Sequence, residues 1–248
     1  MSSGNAMKDK VVLVTGGSRG IGAAIARRFA AESCRVAIGC RGANAAAEAV
    51  LRDVTAAGAQ GVIVTGDLAK PDAARDVVTQ TVARFGHIDV IVNCGGISEH
   101  RAFEACDPAF FHAIFDTNVL GTIAVIQAAL PHMTAGGRIV NFSTALASRP
   151  IPKSSIYAAS KAAVQTLSHA LAKELGPRGI TVNAIAPGVI ETDMTAKTLV
   201  ERGEGIRSMT PLGRIGQPDD VAGVVLFLAS PDGGWITGRT LLVDGGGV

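Results

Sequence analysis

The chain holds one tyrosine, Tyr157, and a lysine, Lys161, follows four residues later. Four residues is about one helical turn, so both side chains leave one face and their polar ends can meet at one ligand. A phenol ionises at about pH 10 in a model peptide, too high for a base working near neutrality, and an adjacent ammonium stabilises the phenolate. Such a pair can give a proton to a developing alkoxide and take it back in the reverse direction. Two hydroxyls lie upstream, Ser143 fourteen and Thr144 thirteen residues before the tyrosine. They end an apolar, strand-like run, where neighbouring side chains point to opposite faces, so one of the two should reach a substrate oxygen.

A second chemical signal is Thr15-Gly16-x-x-x-Gly20-x-Gly22. It closes the apolar run Val11–Val14 and opens a segment with helical spacing at Ile21, Ile25 and Phe29. Glycines there let backbone N–H groups approach a pyrophosphate, and the helix N-terminus favours its charge. Metal chemistry is not indicated. The histidines His87, His100, His112, His132 and His169 have no ligand spacing, and Cys34, Cys40, Cys94 and Cys106 fit neither a zinc ribbon nor a compact disulfide framework. Idle thiols of that kind suit a cytoplasmic protein.

Strand-like and helical segments alternate along the whole sequence. Strands are expected at 11–14, 36–40, 62–65, 90–93, 138–143, 181–185 and 240–243. Helices are expected at 21–31, 43–57, 72–85, 107–133, 155–175 and 218–228. This order implies right-handed crossovers and an α/β fold: a doubly wound, seven-stranded parallel sheet with helices on both faces. The length of 248 residues suits one domain, read as 10–248, with 1–9 a flexible N-terminal segment or the remnant of a tag. Residues 188–213 show no strong periodicity and follow the sixth strand, at the edge where such sheets bind ligands, so they read as a substrate lid. Hydrophobic residues make up 48% of the chain, yet no uninterrupted apolar run reaches the roughly 18 residues of a membrane span. No secretory signal is apparent. The formal charge of +2 is spread without a basic stripe, so neither nucleic acid nor membrane is expected as a partner.

Taken in order, Thr15 to Gly22, Asp67, Asn93-Cys-Gly-Gly96, Asn118, Tyr157-x-x-x-Lys161, Pro187-Gly188, Thr192 and Val243-Asp-Gly-Gly246 resemble the short-chain dehydrogenase/reductase family over essentially the whole chain. The likeness is to its single-domain branch of about 250 residues, similar to 3-oxoacyl-[acyl-carrier-protein] reductases, and it implies a Rossmann-type sheet. By that resemblance Tyr157 is the acid in carbonyl reduction and the base in alcohol oxidation. Lys161 also binds the nicotinamide ribose, and Asn118 holds a water linking the lysine to solvent. The family has a serine thirteen residues before the tyrosine; Thr144 stands there, which favours it over Ser143 as donor to the substrate oxygen. The cofactor would touch Gly16, Ser18, Arg19, Gly20, Ile21 and Gly22. Asp67 and Leu68 would meet the adenine, with Asn93, Gly95 and Gly96 as cleft floor. Pro187, Gly188, Val189, Ile190 and Thr192 would support the nicotinamide. Asn-Cys-Gly-Gly departs from the family's usual Asn-Asn-Ala-Gly but keeps a glycine-lined turn.

Charge selects the dinucleotide. An acidic residue ending the second strand would favour the ribose hydroxyl of NAD and repel a 2′-phosphate. Cys40 and Arg41 stand there instead, and Arg19 adds a second guanidinium, so NADP(H) is expected. His100 and Arg101 either border the cleft or sit in a solvated loop, and the loop is the plainer reading. The substrate is a small carbonyl or alcohol: a 3-oxoacyl thioester, a small ketone and a sugar or secondary alcohol all stay open. The rival is a non-catalytic NADP-binding regulator or scaffold. Homotetramers are expected by resemblance, through Trp235–Val248 and Val221–Leu228.

Overall fold

The strongest local rule in the chain is the continuous apolar run of a strand covered on both faces. In the computed structural model, which describes residues 6–247, Val11–Thr15 is fully buried as β1. Alternation then sends its side chains to two separate cores. Val12 and Val14 join the cluster of Ile25 and Phe29 from α1 (Gly20–Ala31) and Val221, Val225 and Leu228 from α8 (Pro218–Ala229). Val11 and Leu13 join Val77 and Val78 of α3 (Pro71–Phe85), Val125 and Ile126 of α5 (Gly121–Ala129) and Leu175 of α6 (Ser155–Leu175). Each fully buried side chain of this size contributes about 1.5–3 kcal/mol.

The sheet is parallel and seven-stranded, in the order β3-β2-β1-β4-β5-β6-β7. Its other strands are β2 (Arg35–Cys40), β3 (Gly61–Thr65), β4 (Val90–Asn93), β5 (Arg138–Phe142), β6 (Thr181–Pro187) and β7 (Thr240–Val243). The chain winds outward from β1 to β3, then returns to lay β4 against the free side of β1. That reversal opens a crevice at the strands' carboxyl ends. Register aligns Thr15 with Asn93 and Asn93 with Asn141, so three strands end level at the crevice.

Four expectations are revised. Met7 is 5% exposed and accepts a hydrogen bond from Cys34 Sγ on its carbonyl, so the packed body starts before residue 10. The flexible reading of residues 1–5 lies outside the described residues. The expected helix 107–133 is divided into α4 (Pro108–Phe115), a π-turn at Asp116–Leu120, and α5. By length and apolarity alone, Pro108–His132 would pass for a membrane span, but half of that stretch is buried inside the protein. The stretch 188–213 contains a helix, α7 (Ala196–Met209), in which Gly203 is the buried residue. A helix that buries so little shows no apolar stripe. The remaining helix, α2 (Ala45–Ala56), is capped by the Asn44 side chain, which accepts from Ala47 N at 3.0 Å.

Candidate active site

The crevice is a cleft of about 2300 Å3, and every predicted site residue except Asn93 and Asn118 lines it. At one end lies the glycine loop. Gly16 has φ +65, and a Cβ there would sit 2.7 Å from the Gly95 Cα. At Gly22 a Cβ would sit 2.2 Å from the Gly16 carbonyl oxygen, so neither position admits a side chain. The loop delivers α1 with its N-cap, Arg19, making no side-chain cap and with no acidic residue in the first turn. Its first N–H groups therefore remain available to an anion, unlike those of α2 and of α4, which Asp107 caps.

At the end of β2, the Cys40 thiol turns inward to donate to Gly42 O, and burial raises its pKa. The guanidiniums of Arg19 and Arg41 stay exposed. Arg41 does not stand clear of carboxylates: its Nε lies 3.9 Å from Asp67 Oδ1. Arginine on an exposed cleft rim suits a ribose phosphate, and the whole donor set (narrow glycine turn, uncapped helix start, free guanidinium) fits a phosphorylated dinucleotide.

At the other end α6 brings Tyr157 and Lys161 to the floor. It is fastened to β5 by buried hydrogen bonds. Asn141 Nδ2 donates to Ser168 Oγ at 2.8 Å, Ser143 Oγ to the Lys161 carbonyl at 3.0 Å, and Lys161 Nζ to the Phe142 carbonyl at 2.9 Å. Burial lowers the Lys161 ammonium from 10.5 to about 8, with Cys94 acting in the opposite sense, while burial pushes the Cys94 thiol up to about 12. Burial also raises the Tyr157 phenol above its ordinary value, opposed by hydrogen bonds to the hydroxyls of Thr144 and Ser98.

These contacts separate the two upstream hydroxyls, which lie just past the end of β5. Ser143 is turned under α6, whereas Thr144 meets the phenol. Asn93, expected on the cleft floor, and Asn118 do not line the cleft. Asn93 lies below the floor and donates to Asn141 Oδ1 at 2.9 Å, tying β4 to β5. Asn118, 1% exposed in the π-turn, accepts from Ile97 N and donates to Ile97 O and to Ser160 Oγ; its carbonyl accepts Thr122 Oγ1. It clamps the loop after β4 onto α6. That loop carries Ser98, which the motifs did not flag, and His100, whose ring centroid lies 5.8 Å from that of Tyr157. His100 thus borders the cleft. Arg101 turns aside, bonding Glu99 at 3.0 Å and covering the Phe110 ring at 4.2 Å.

With this geometry established, known proteins provide comparison. Residues 16–247 match the family model described as enoyl-(acyl carrier protein) reductase. The chain is 41% identical over 243 residues to an uncharacterized oxidoreductase of Methylorubrum extorquens, covering 97% of this chain and 98% of the relative. It is 38% identical to a 3-oxoacyl-[acyl-carrier-protein] reductase of Staphylococcus aureus, covering 96% and 97%. Among solved structures, a short chain dehydrogenase from Burkholderia cenocepacia in complex with NADP superposes with a TM-score of 0.93 at 40% identity, covering 98% and 99%.

The buried lysine has a measurable consequence. A shift from 10.5 to about 8 costs the folded protein on the order of 3 kcal/mol near neutral pH, where both states hold the proton. From about pH 8 upward the folded lysine loses its proton first, so the unfolded state binds more protons and stability rises with pH. Lys161→Met forfeits one hydrogen bond of about 1 kcal/mol. It should therefore raise the urea midpoint of the ligand-free protein near pH 7, by an amount that shrinks as the pH climbs past 8. A midpoint at or below wild type near pH 7 would contradict this.

Proposed function

The chain belongs to the short-chain dehydrogenase/reductase family, and we propose that its cleft interconverts a carbonyl and a secondary alcohol with Tyr157 as the proton-transfer group. It is an NADP(H)-dependent oxidoreductase, and the bound dinucleotide supplies or accepts the hydride. The observation that carries the reading is that Tyr157 and, one helical turn on, Lys161 are both buried at the cleft floor with Thr144 beside them.

In reduction Tyr157 gives its proton to the substrate oxygen. Thr144 donates a hydrogen bond to the same oxygen and stabilises its developing charge. Lys161 lowers the energy of the phenolate left behind and binds the nicotinamide ribose. Ser143 holds the Lys161 backbone, and Asn118 positions the loop that carries Ser98; both act through neighbours. Arg19 and Arg41 meet the 2′-phosphate, with Asp67 released from Arg41 toward the adenine. The hydroxyl contact at Thr144 favours catalysis over a non-catalytic, dinucleotide-binding scaffold.

Residues 188–213, with α7, serve as the substrate lid of one NADP-binding domain. Met194, Ile206, Met209 and Leu212 line the cleft, and Met194, Met209 and Leu212 are exposed. That apolar lining favours a carbonyl flanked by hydrocarbon over a sugar. Four free thiols among the described residues suit the reducing cytoplasm. Trp235, fully exposed, and the exposed Phe227 of α8 are apolar surface residues suited to subunit pairing. Val221, Val225 and Leu228 point inward, so Phe227 rather than the whole helix would contribute to a homotetramer.

Tyr157→Phe tests the mechanism: turnover with NADPH should fall by about 10²–10⁴-fold while NADPH affinity stays within a few-fold. Activity near wild type would sink it. Thr144→Val should lose about 10²–10³ in turnover and Ser143→Ala much less; the opposite order would move the donor role to Ser143. For cofactor choice, Arg41→Asp should lower the ratio of kcat/KM with NADPH to that with NADH, because attraction for the 2′-phosphate becomes repulsion. An unchanged ratio would remove Arg41 from recognition.

A further inference from the structure

Once the charges along the cleft are paired off, two guanidiniums are left over. Arg41, 3.9 Å from Asp67, belongs with Arg19 to the dinucleotide end. Arg214 lines the cleft as well, but both oxygens of Asp220 hold it, at 2.6 and 2.8 Å. Lys161 is buried and spent on the Phe142 carbonyl. Arg202 and Arg149 also line the cleft, both are exposed, and among the described residues neither has a carboxylate partner.

Arg202 is placed by its helix. The residues of α7 that reach the cleft are Thr198, Arg202, Ile206 and Met209, spaced four, four and three apart, so one face of the lid helix turns inward. The other basic residues of α7 lie off that face and are paired, Lys197 with Glu201 at 3.9 Å and Arg207 with Glu204 at 3.2 Å. The lid begins over the cofactor loop, where a Cβ on Gly20 would meet Thr192 Cγ2 at 3.1 Å, and it ends on the C-terminal tail, where Leu212 N donates to Gly245 O at 3.2 Å. Arg149 comes from another element, the loop between Thr144 and Tyr157, and its Nη1 donates to the Gly247 carbonyl of the same tail. That partner is neutral, so the charge of Arg149 stays unbalanced. The two cleft carboxylates without an ion pair are placed elsewhere: Asp193 adjoins Thr192 at the cofactor loop, and Asp244 Oδ1 accepts from Gly246 N at 3.0 Å within the tail.

We propose that the carbonyl substrate carries an anionic group, a carboxylate or a phosphate, bound by Arg202 with Arg149 as the second cation. The inference rests on the reading of the cleft as a carbonyl-reducing site and names its substrate class. A guanidinium presents a planar fork of N–H donors that matches either anion. Ile206 and Met209 share the inward face with Arg202, so the molecule that fits is amphipathic: a ketone on a short hydrocarbon segment that ends in the anion. The anionic group is held and does not react, and Arg202 is a specificity-determining residue.

The test is a ratio of kcat/KM values at saturating NADPH: 5-oxohexanoate against its uncharged methyl ester, and 5-oxohexyl phosphate against the parent alcohol. In wild type at low salt at least one anion should be favoured over its neutral partner by about tenfold, mainly through KM, and the larger ratio tells carboxylate from phosphate. Added salt should shrink the preference, because the cations are exposed. Arg202→Lys should keep most of it, Arg202→Gln should lose most of it, and Arg202→Glu should reverse it, with a trimethylammonium ketone of the same length gaining in that variant. Arg149→Gln should lose a smaller part. A wild type that prefers both neutral partners would overturn the proposal, as would wild-type ratios in Arg202→Gln and Arg202→Glu. Tyr157→Phe separates the levels: if it silences charged and neutral ketones alike while the Arg202 variants leave the ratios unmoved, the anion site fails alone, whereas an active Tyr157→Phe defeats the reading beneath it.

Discussion

Burying an ammonium under the cleft floor is the constraint around which the rest is arranged. Removing Lys161 from water is unfavourable, and one carbonyl, that of Phe142, gives back only part of what is lost. The position persists because α6 cannot slide: Ser143 and Asn141 hold its backbone and its Ser168 side chain against β5. Asn93 extends the tie to β4. A polar seam therefore runs beneath a reactive surface, between the backbone ladder of the sheet and two largely apolar cores. The apolar contacts supply stability, and the seam fixes where α6, with Tyr157 and Lys161, sits on β5.

The opposite end of the cleft works by leaving groups out. Side chains are missing at Gly16 and Gly22 because backbone occupies the space a Cβ would need, and a cap is missing on α1. The resulting N–H groups and the exposed arginines offer positive potential without any buried charge. Anion binding here needs no reorganisation of the core, whereas the proton-transfer end depends on a dehydrated cation and a tightly pegged helix. Stability is thus spent at one end of a single cleft and almost untouched at the other.

The sheet, its order of elements and the Tyr157–Lys161 pair were legible because they obey short-range rules: period two, period 3.6, and one-turn spacing. Ser143 and Thr144 lie just past the end of β5, and it is the hydrogen bond from Ser143 to the Lys161 carbonyl, not strand alternation, that tells the two hydroxyls apart. What escaped the sequence was whatever depends on contacts across the fold. The π-turn has no composition signature, yet it sets the Asn118 side chain on the Ile97 backbone. Asn93 matched a motif, but its amide is consumed by Asn141, forty-eight residues away. Exposed α7 buries too little to leave a pattern, and Met7 gave no local sign of being packed. Ser98 and His100 lie in a loop whose path is set by distant partners, Asn118 at Ile97 and the Lys153 carbonyl at Arg101, so spacing could not place them beside Tyr157.

With a single tyrosine in the chain, the central claim has a direct spectroscopic readout: the phenolate absorbance of Tyr157, titrated with and without saturating NADP+. In the ligand-free protein the phenol should ionise above its ordinary value, because burial opposes the charge. The positively charged nicotinamide ring of bound NADP+ would sit beside the phenol, so the midpoint should move down toward neutrality. A midpoint that NADP+ leaves in place would contradict the assignment of Tyr157 as the proton-transfer group.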